Sequence, residues 1–549
     1  MDIRRTVIYA GLAITSYMLF INWNNDYGHH STVDTPIAIE SEVSSDAPVT
    51  ASSADTELPA VASDAVAPTT TAKAPSGELI TVDTDVLKVT INPNGGEITE
   101  VLLPQFPVSI DKPDVPFVLM ENNQRRTYVA QSGLIGRDGV DTDGAALYHA
   151  ETNRYSLEDG SDAVEVVLST ETDKALIEKV FTFKRGEYLI DVQYRIHNRS
   201  DNDWRGIFYA QLKRDGSADP SQSGGMGMQS YLGAALTTSE NRYEKVTFDD
   251  LEDDSFKAVE EGGWAAMLQH YFLSAWVPAQ DQQHTYNGRY VRGNYIFGFY
   301  DQPLNVEAGE TATTGAKLYV GPKDQDSLEN IAENLNLTVD YGWLWFIAQP
   351  LFHVLTFFHS LIGNWGVAII LLTLCVKLLF FYPSAMSYRS MANMRKVAPE
   401  MQALKEKYAD NREKLGQEMM KLYRDKKINP LGGCLPILIQ MPVFISLYWV
   451  LMESVELRQA PFALWIQDMS VMDPYFILPL IMGASMFIQM KLNPTPPDPM
   501  QARVMQFMPI VFTIFFLWFP AGLVLYWVVN NILSIAQQYY ITRQIEREA

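Results

Sequence analysis

The sequence predicts a multi-domain membrane protein: an α-helical polytopic core of six transmembrane helices joined to a large antiparallel β-sandwich. Three observations carry that expectation. Apolar runs fill most of residues 341–541, period-two strand patterns fill 78–340, and charge divides between the two regions. Residues 24–340 hold 51 acidic against 23 basic side chains, while the rest hold 14 against 19, giving −23 overall. An acidic soluble part thus joins a mildly basic, apolar part, which argues against direct nucleic-acid binding.

The start, Met1-Asp2-Ile3-Arg4-Arg5, precedes an apolar run from Val7 to Ile21. A cleavable signal peptide fits that pattern, but Asn22-Trp23-Asn24-Asn25 offers no small-residue cleavage site. Residues 1–23 therefore read as an uncleaved transmembrane anchor with a cytoplasmic N-terminus. Residues 24–77, rich in Ala, Thr, Ser, Pro and Asp, read as a disordered periplasmic linker.

Residues 78–340 read as the sandwich. Ile190, Val192, Tyr194 and Ile196 alternate with Asp191, Gln193, Arg195 and His197, the signature of a half-buried strand. Similar runs occur at 164–169, 176–184 and 206–213, and Asp326–Leu337 reads as a closing helix. The only cysteines, Cys375 and Cys434, lie in or beside apolar segments. Without a disulfide framework, an exported domain must be stable through its core alone.

The run from Tyr341 to Pro383 is about twice the length one crossing needs, so it must divide, and Gly363-Asn364-Trp365-Gly366 is the natural break. Residues 341–362, with Trp343, Trp345, Phe346, His353 and His359, suit an amphipathic interfacial helix, and 363–383 a second span. Residues 384–428 hold eleven Lys or Arg against six acids and read as a cytoplasmic helical hairpin turning at Asp410-Asn411. Then come a third span (429–452), a periplasmic loop (453–473), a fourth span (474–492) and a cytoplasmic loop (493–502). The last apolar run folds at Phe519-Pro520-Ala521-Gly522 into a fifth span (503–519) and a sixth (520–541), before a basic tail (542–549). An even number of spans returns both termini to the cytoplasm.

Lys377 is the only Lys, Arg, Asp or Glu in the interior of these apolar runs, Lys491 and Arg503 falling at the ends of the fourth and fifth spans. A charge at bilayer depth costs about 2.5–3.5 kcal/mol on insertion scales and by default marks a functional site. Two readings stand: snorkelling to the headgroups, or a cation in a wet cavity open to the cytoplasm with Thr373 one turn earlier. The third span carries Pro436, Gln440 and Pro442, which fit a kinked packing helix or a polar, water-lined one. The fifth carries Phe512, Phe515, Phe516, Trp518 and Phe519 beside Met505 and Met508, a stripe that faces lipid or core, or else an adaptable client surface. No phosphate loop, metal-ligand cluster or catalytic pair is present, and His29-His30 sits in the linker. The chain reads as a non-enzyme without cofactors.

Four stretches carry a resemblance. Asn429-Pro430-Leu431-Gly432-Gly433-Cys434-Leu435-Pro436-Ile437-Leu438-Ile439-Gln440-Met441-Pro442, Val455–Phe462 and Phe516–Tyr526 resemble segments of the YidC/Oxa family of membrane protein insertases, and Gly263–Phe272 resembles its large Gram-negative periplasmic domain. The resemblance implies five helices enclosing a hydrophilic groove open to cytoplasm and lipid. It implies a groove cation at Lys377, where many relatives carry Arg, with Thr373 and Gln440 as groove polar residues. Substrate contacts fall on Met441, Pro442, Phe444, Phe515 and Trp527, the last replacing a common Tyr. Lysine keeps the charge but lacks the planar fork of arginine. Implied partners are nascent membrane proteins, Sec translocon components, the ribosome–nascent chain complex through the hairpin, and the lipid bilayer of a bacterial inner membrane. The rivals are a secondary transporter using Lys377 for an anion or proton, and a scaffold whose sandwich does the binding.

Overall fold

The strand Leu189–Asn198 shows how this sequence makes sheet. Ile190, Val192, Tyr194 and Ile196 are all fully buried, while the residues between them are partly or fully exposed. It pairs antiparallel with Ala175–Lys184 on one side and Thr311–Pro322 on the other. The structure, a computed structural model, describes residues 57–59, 77–222, 230–408, 411–426, 435–493 and 499–547. The expected N-terminal anchor, nearly all of the linker, residues 429–434 and 494–498 and the last two residues lie outside them.

Strands from Ile80 to Pro322 form an eleven-stranded and a nine-stranded sheet. Ile91, Val101, Tyr128, Phe208 and Phe297 of the first share one apolar core with Ile177, Phe181, Val192, Trp276 and Leu318 of the second. The expectation of wholly antiparallel pairing fails once: Ile80–Asp83 runs parallel to Arg154–Ser156. Helix α1 (Phe248–Asp253) is held by a Thr247/Asp250 capping box. The expected helix at 326–337 breaks into α2 (Gln325–Glu329) and a 3-10 turn (Leu335–Thr338). Asn334, just before the 3-10 turn, has φ +63°, a left-handed conformation that a continuous α-helix over 326–337 would not contain.

The helical region comprises α3 (Trp345–Ile362), α4 (Trp365–Leu379), α5 (Phe381–Lys396), α6 (Ala398–Lys407), α7 (Arg412–Asp425), α8 (Leu435–Glu453), α9 (Ile477–Leu492), α10 (Pro499–Phe515) and α11 (Ala521–Arg547). Gly363, at φ +70°, ends α3 and donates to His359 O, and the Asn364 side chain caps α4 through Val367 N. The second span does not run straight to Pro383. Helix α4 stops at Leu379, and α5 leaves at 67° with Pro383 in its first turn, where proline is tolerated. By length and composition, Gly342–Ile362 alone among the described helices reaches spanning length; Ile439–Glu453, α9 and Ala502–Trp518 are shorter apolar helices. The hairpin α6–α7 packs Met401 against Met419, Leu422 and Tyr423, and Lys426 pairs with Glu400 at 2.7 Å.

A second core joins the outer face of the nine-stranded sheet, through Trp264, Leu273 and Tyr319, to Phe352, Trp365, Leu447 and Phe516 of the helices. A buried ion pair lies at this junction. Lys323 Nζ is 3.6 Å from Glu453 Oε2, with side chains 1% and 3% exposed. Ser230 Oγ also donates to that carboxylate at 3.1 Å, and His270 Nε2 donates to Met452 O at 2.8 Å. Glu453→Ala leaves the lysine buried without its counter-charge, so denaturant unfolding of the purified protein should show a loss of about 3–5 kcal/mol. Lys323→Met with Glu453→Leu should recover most of it.

Lys179, fully buried between the sheets, donates to Gly95 O and Ser132 O, each at 3.0 Å, and lies over the rings of Phe181 and Tyr194. Desolvation pulls its ammonium down to about 7, with Asp141 and Glu97 opposing. The unfolded chain therefore binds the extra proton between about 7 and 10.5, so stability rises with pH across that window. Lys179→Met should flatten that part of a stability-versus-pH profile.

Candidate functional site

Lys377 lies in the last turn of α4, two residues before the bend, and is 6% exposed. Its side chain turns inward to α11, where Nζ donates to Ser534 Oγ at 2.6 Å. Ser534 in turn donates to Asn530 O at 2.7 Å. The snorkelling geometry is therefore not adopted. Among the described residues no carboxylate forms an ion pair with Lys377, and two of its three N–H donors have no protein acceptor.

Helix α11 supplies a polar stripe that sequence analysis missed. Asn530, Asn531, Ser534 and Gln538 are all at most 7% exposed inside an apolar bundle. Asn530 Nδ2 donates to Gln440 Oε1 at 3.3 Å across to α8, and Asn531 Nδ2 donates to Ser485 Oγ of α9 at 3.0 Å. Gln538 Nε2 reaches Leu492 O and Asn493 Oδ1 at 3.2 and 2.9 Å. The signal was available: positions 530, 534 and 538 repeat every four residues on one helical face. Buried polar atoms without a protein partner gather here: Gln440 Nε2, Ser446 Oγ, Trp527 Nε1, Asn530 Oδ1 and Gln538 Oε1. Buried polar groups are ordinarily satisfied, so this cluster suits water or a polar chain passing between the helices.

The other candidates separate into inner and outer groups. Thr373 is fully buried, yet its hydroxyl donates back to Ile369 O at 2.6 Å, within its own helix, so it does not reach Lys377. Phe444 meets Trp527 edge-on at 4.7 Å, and Phe512 and Phe516 complete that aromatic cluster. Pro442 lies inside α8, half-buried. Met441 and Phe515 face outward, 42% and 51% exposed. The structure thus brings Lys377, Ser534, Asn530 and Gln440 into one hydrogen-bonded chain and Phe444 with Trp527 into a ring cluster, while Met441 and Phe515 remain on the surface.

Two features hold the site's far end. Gly366 lies so close to Phe462 that a Cβ would come within 1.9 Å of the ring, and Asn364 Nδ2 donates to Phe462 O at 2.9 Å. Asp473 is fully buried, accepting from Trp465 Nε1, Tyr475 N and Leu478 N, and so fixes the start of α9.

Lys377→Met and Ser534→Ala should be strongly non-additive. A double-mutant cycle on unfolding should give a coupling of about 1.5–3 kcal/mol, the range for hydrogen bonds to charged groups.

Residues 79–354 match the model of the YidC periplasmic domain, and 357–548 that of the 60Kd inner membrane protein. Proteins named membrane protein insertase YidC from Azotobacter vinelandii and Stutzerimonas stutzeri are each 54% identical over 100% of both chains. One from Hahella chejuensis is 53% identical over 100% of this chain and 98% of its own. The strand-rich and helical regions each match a family model and the full-length relatives are more than half identical: the chain belongs to the YidC family of membrane protein insertases.

Proposed function

We propose that this protein inserts nascent membrane proteins into a bacterial inner membrane through a hydrophilic groove centred on Lys377. The observation that carries the reading is the Lys377–Ser534–Asn530–Gln440 chain, polar and only partly satisfied, inside apolar helices. A client's short polar exported segment is held there transiently by the free ammonium donors and the unpaired amides. Its apolar segment leaves past Met441, Pro442 and Phe515, while Phe444 and Trp527 back the groove. Partition into lipid, of order 25 cal/mol per Å² of apolar surface, supplies the driving force, so no nucleotide is needed.

In this reading the two sheets form a periplasmic sandwich, and six helices span: 1–23, 363–383, 429–452, 474–492, 503–519 and 520–541, five of them forming the core. Residues 341–362 lie in the interface, which the exposure of Trp343, Trp345, Phe346 and Phe357 supports despite their helix's length. Both termini are cytoplasmic. The basic hairpin α6–α7 receives the ribosome–nascent chain complex, and Sec translocon components act beside the protein on some clients. A secondary transporter finds no support in full-length relatives that are named insertases.

Photo-crosslinking to a ribosome-bound client should give adducts from positions 441 and 515, and weaker ones from 377; adducts at none of the three would sink the groove. Lys377→Ala should lower insertion of a client with an acidic exported tail by roughly tenfold, and Lys377→Arg should retain it.

A further inference from the structure

The eleven-stranded sheet has an outer face that ought to meet water, yet part of it is buried and polar. In Trp204–Asp215, Phe208, Ala210 and Leu212 point into the sandwich core, so Tyr209, Gln211 and Lys213 point outward. Gln211 is nonetheless 1% exposed and Tyr209 6%. A short piece of the linker, Glu57-Leu58-Pro59, lies against them. Lys213 Nζ donates to both Glu57 carboxylate oxygens at 2.8 Å. The Glu57 carbonyl accepts from Gln211 Nε2 at 3.0 Å and from the Arg289 guanidinium, which also donates to Gln211 Oε1 at 2.9 Å. Gln211 Nε2 reaches on to Gln131 Oε1 at 2.8 Å, tying the cradle across neighbouring strands. Beside it Leu58 packs on Ile135, Ile207 and Tyr209, and Pro59 is buried.

We propose that this outer face is a peptide-docking site for the chain's own linker, which Glu57-Leu58-Pro59 occupies as a clip. The recognition has three chemically distinct parts. A cation takes the carboxylate, two fixed side-chain donors take one backbone carbonyl, and an apolar pocket takes the leucine. Proline suits the segment because it has no N–H to satisfy at the buried end. The clip moves the point at which the N-terminal segment joins the domain from Ile80 to Glu57, on the outer face of the eleven-stranded sheet. The tether to a membrane anchor at residues 1–23 is then 24–56 rather than 24–77. The docking itself does not depend on the insertase reading; only that consequence does.

Zero-length carbodiimide coupling tests the contact on the full-length protein in detergent, because it joins an amine to a carboxylate only in direct contact. Mass spectrometry should find an amide between Lys213 and Glu57. Leu58→Asp keeps both reacting groups, lies outside the sheet and so leaves the domain folded, and should cut the yield about tenfold. Arg289→Gln should cut it as well. Absence of the wild-type crosslink, or an undiminished yield in Leu58→Asp, overturns the proposal.

Discussion

An ammonium held among apolar helices dictates much of what surrounds it. Lys377 cannot be left without acceptors, because an unpaired charge in such a setting costs several kcal/mol. The side chain turns to α11, and α11 accordingly presents Ser534, Asn530 and Gln538 on one face rather than more leucine. Asn530 then reaches α8 at Gln440, Gln538 reaches Leu492 O at the end of α9, and the neighbouring Asn531 reaches Ser485 of α9. The polar residues of α11 thus tie α4, α8 and α9 to it. The same face is only partly satisfied from within.

The two halves of the molecule, opposite in charge balance, meet through few but well-made polar contacts. Lys323 and Glu453 pair where the sheet domain meets the end of α8. Arg458 and Gln459 donate to Pro107 O at 2.7 and 3.0 Å, joining the loop after α8 to the strand Glu97–Ser109 of the eleven-stranded sheet. Residues 453–473 read from sequence as simply acidic and exported. In the structure Glu453 and Asp473 are instead the loop's fastenings, one as an ion pair and one as an acceptor for Trp465 Nε1, Tyr475 N and Leu478 N. A buried carboxylate is tolerated here because each finds its donors.

Much of the sheet domain was legible because strand alternation survives in the sequence wherever one face is buried; Ile190 to Ile196 is the plainest case. Lys377 was legible because a single charge stands out in an apolar run. The stripe on α11 was not singled out, since Asn, Ser and Gln each weigh little in a hydropathy reading and matter only by their four-residue spacing. Thr373 was placed beside the cation by that same spacing, yet its hydroxyl bonds to its own backbone, an option every helical threonine has. The end of α4 was misjudged at Pro383. The span expected at 363–383 bends three residues before Pro383, whose ring is admitted in the next helix's first turn.

By itself the sequence determined the division into a strand-rich acidic part and an apolar helical part, the strand faces, and the isolation of one lysine. These follow from local periodicity and composition, which each residue carries with it. Only the tertiary structure decided where that lysine points, which α11 side chains meet it, how sharply α4 gives way to α5, and that a linker glutamate is held by Lys213. The lysine's direction, its α11 partner and the glutamate's clasp depend on residues more than a hundred positions apart in the chain, whose meeting no local pattern encodes.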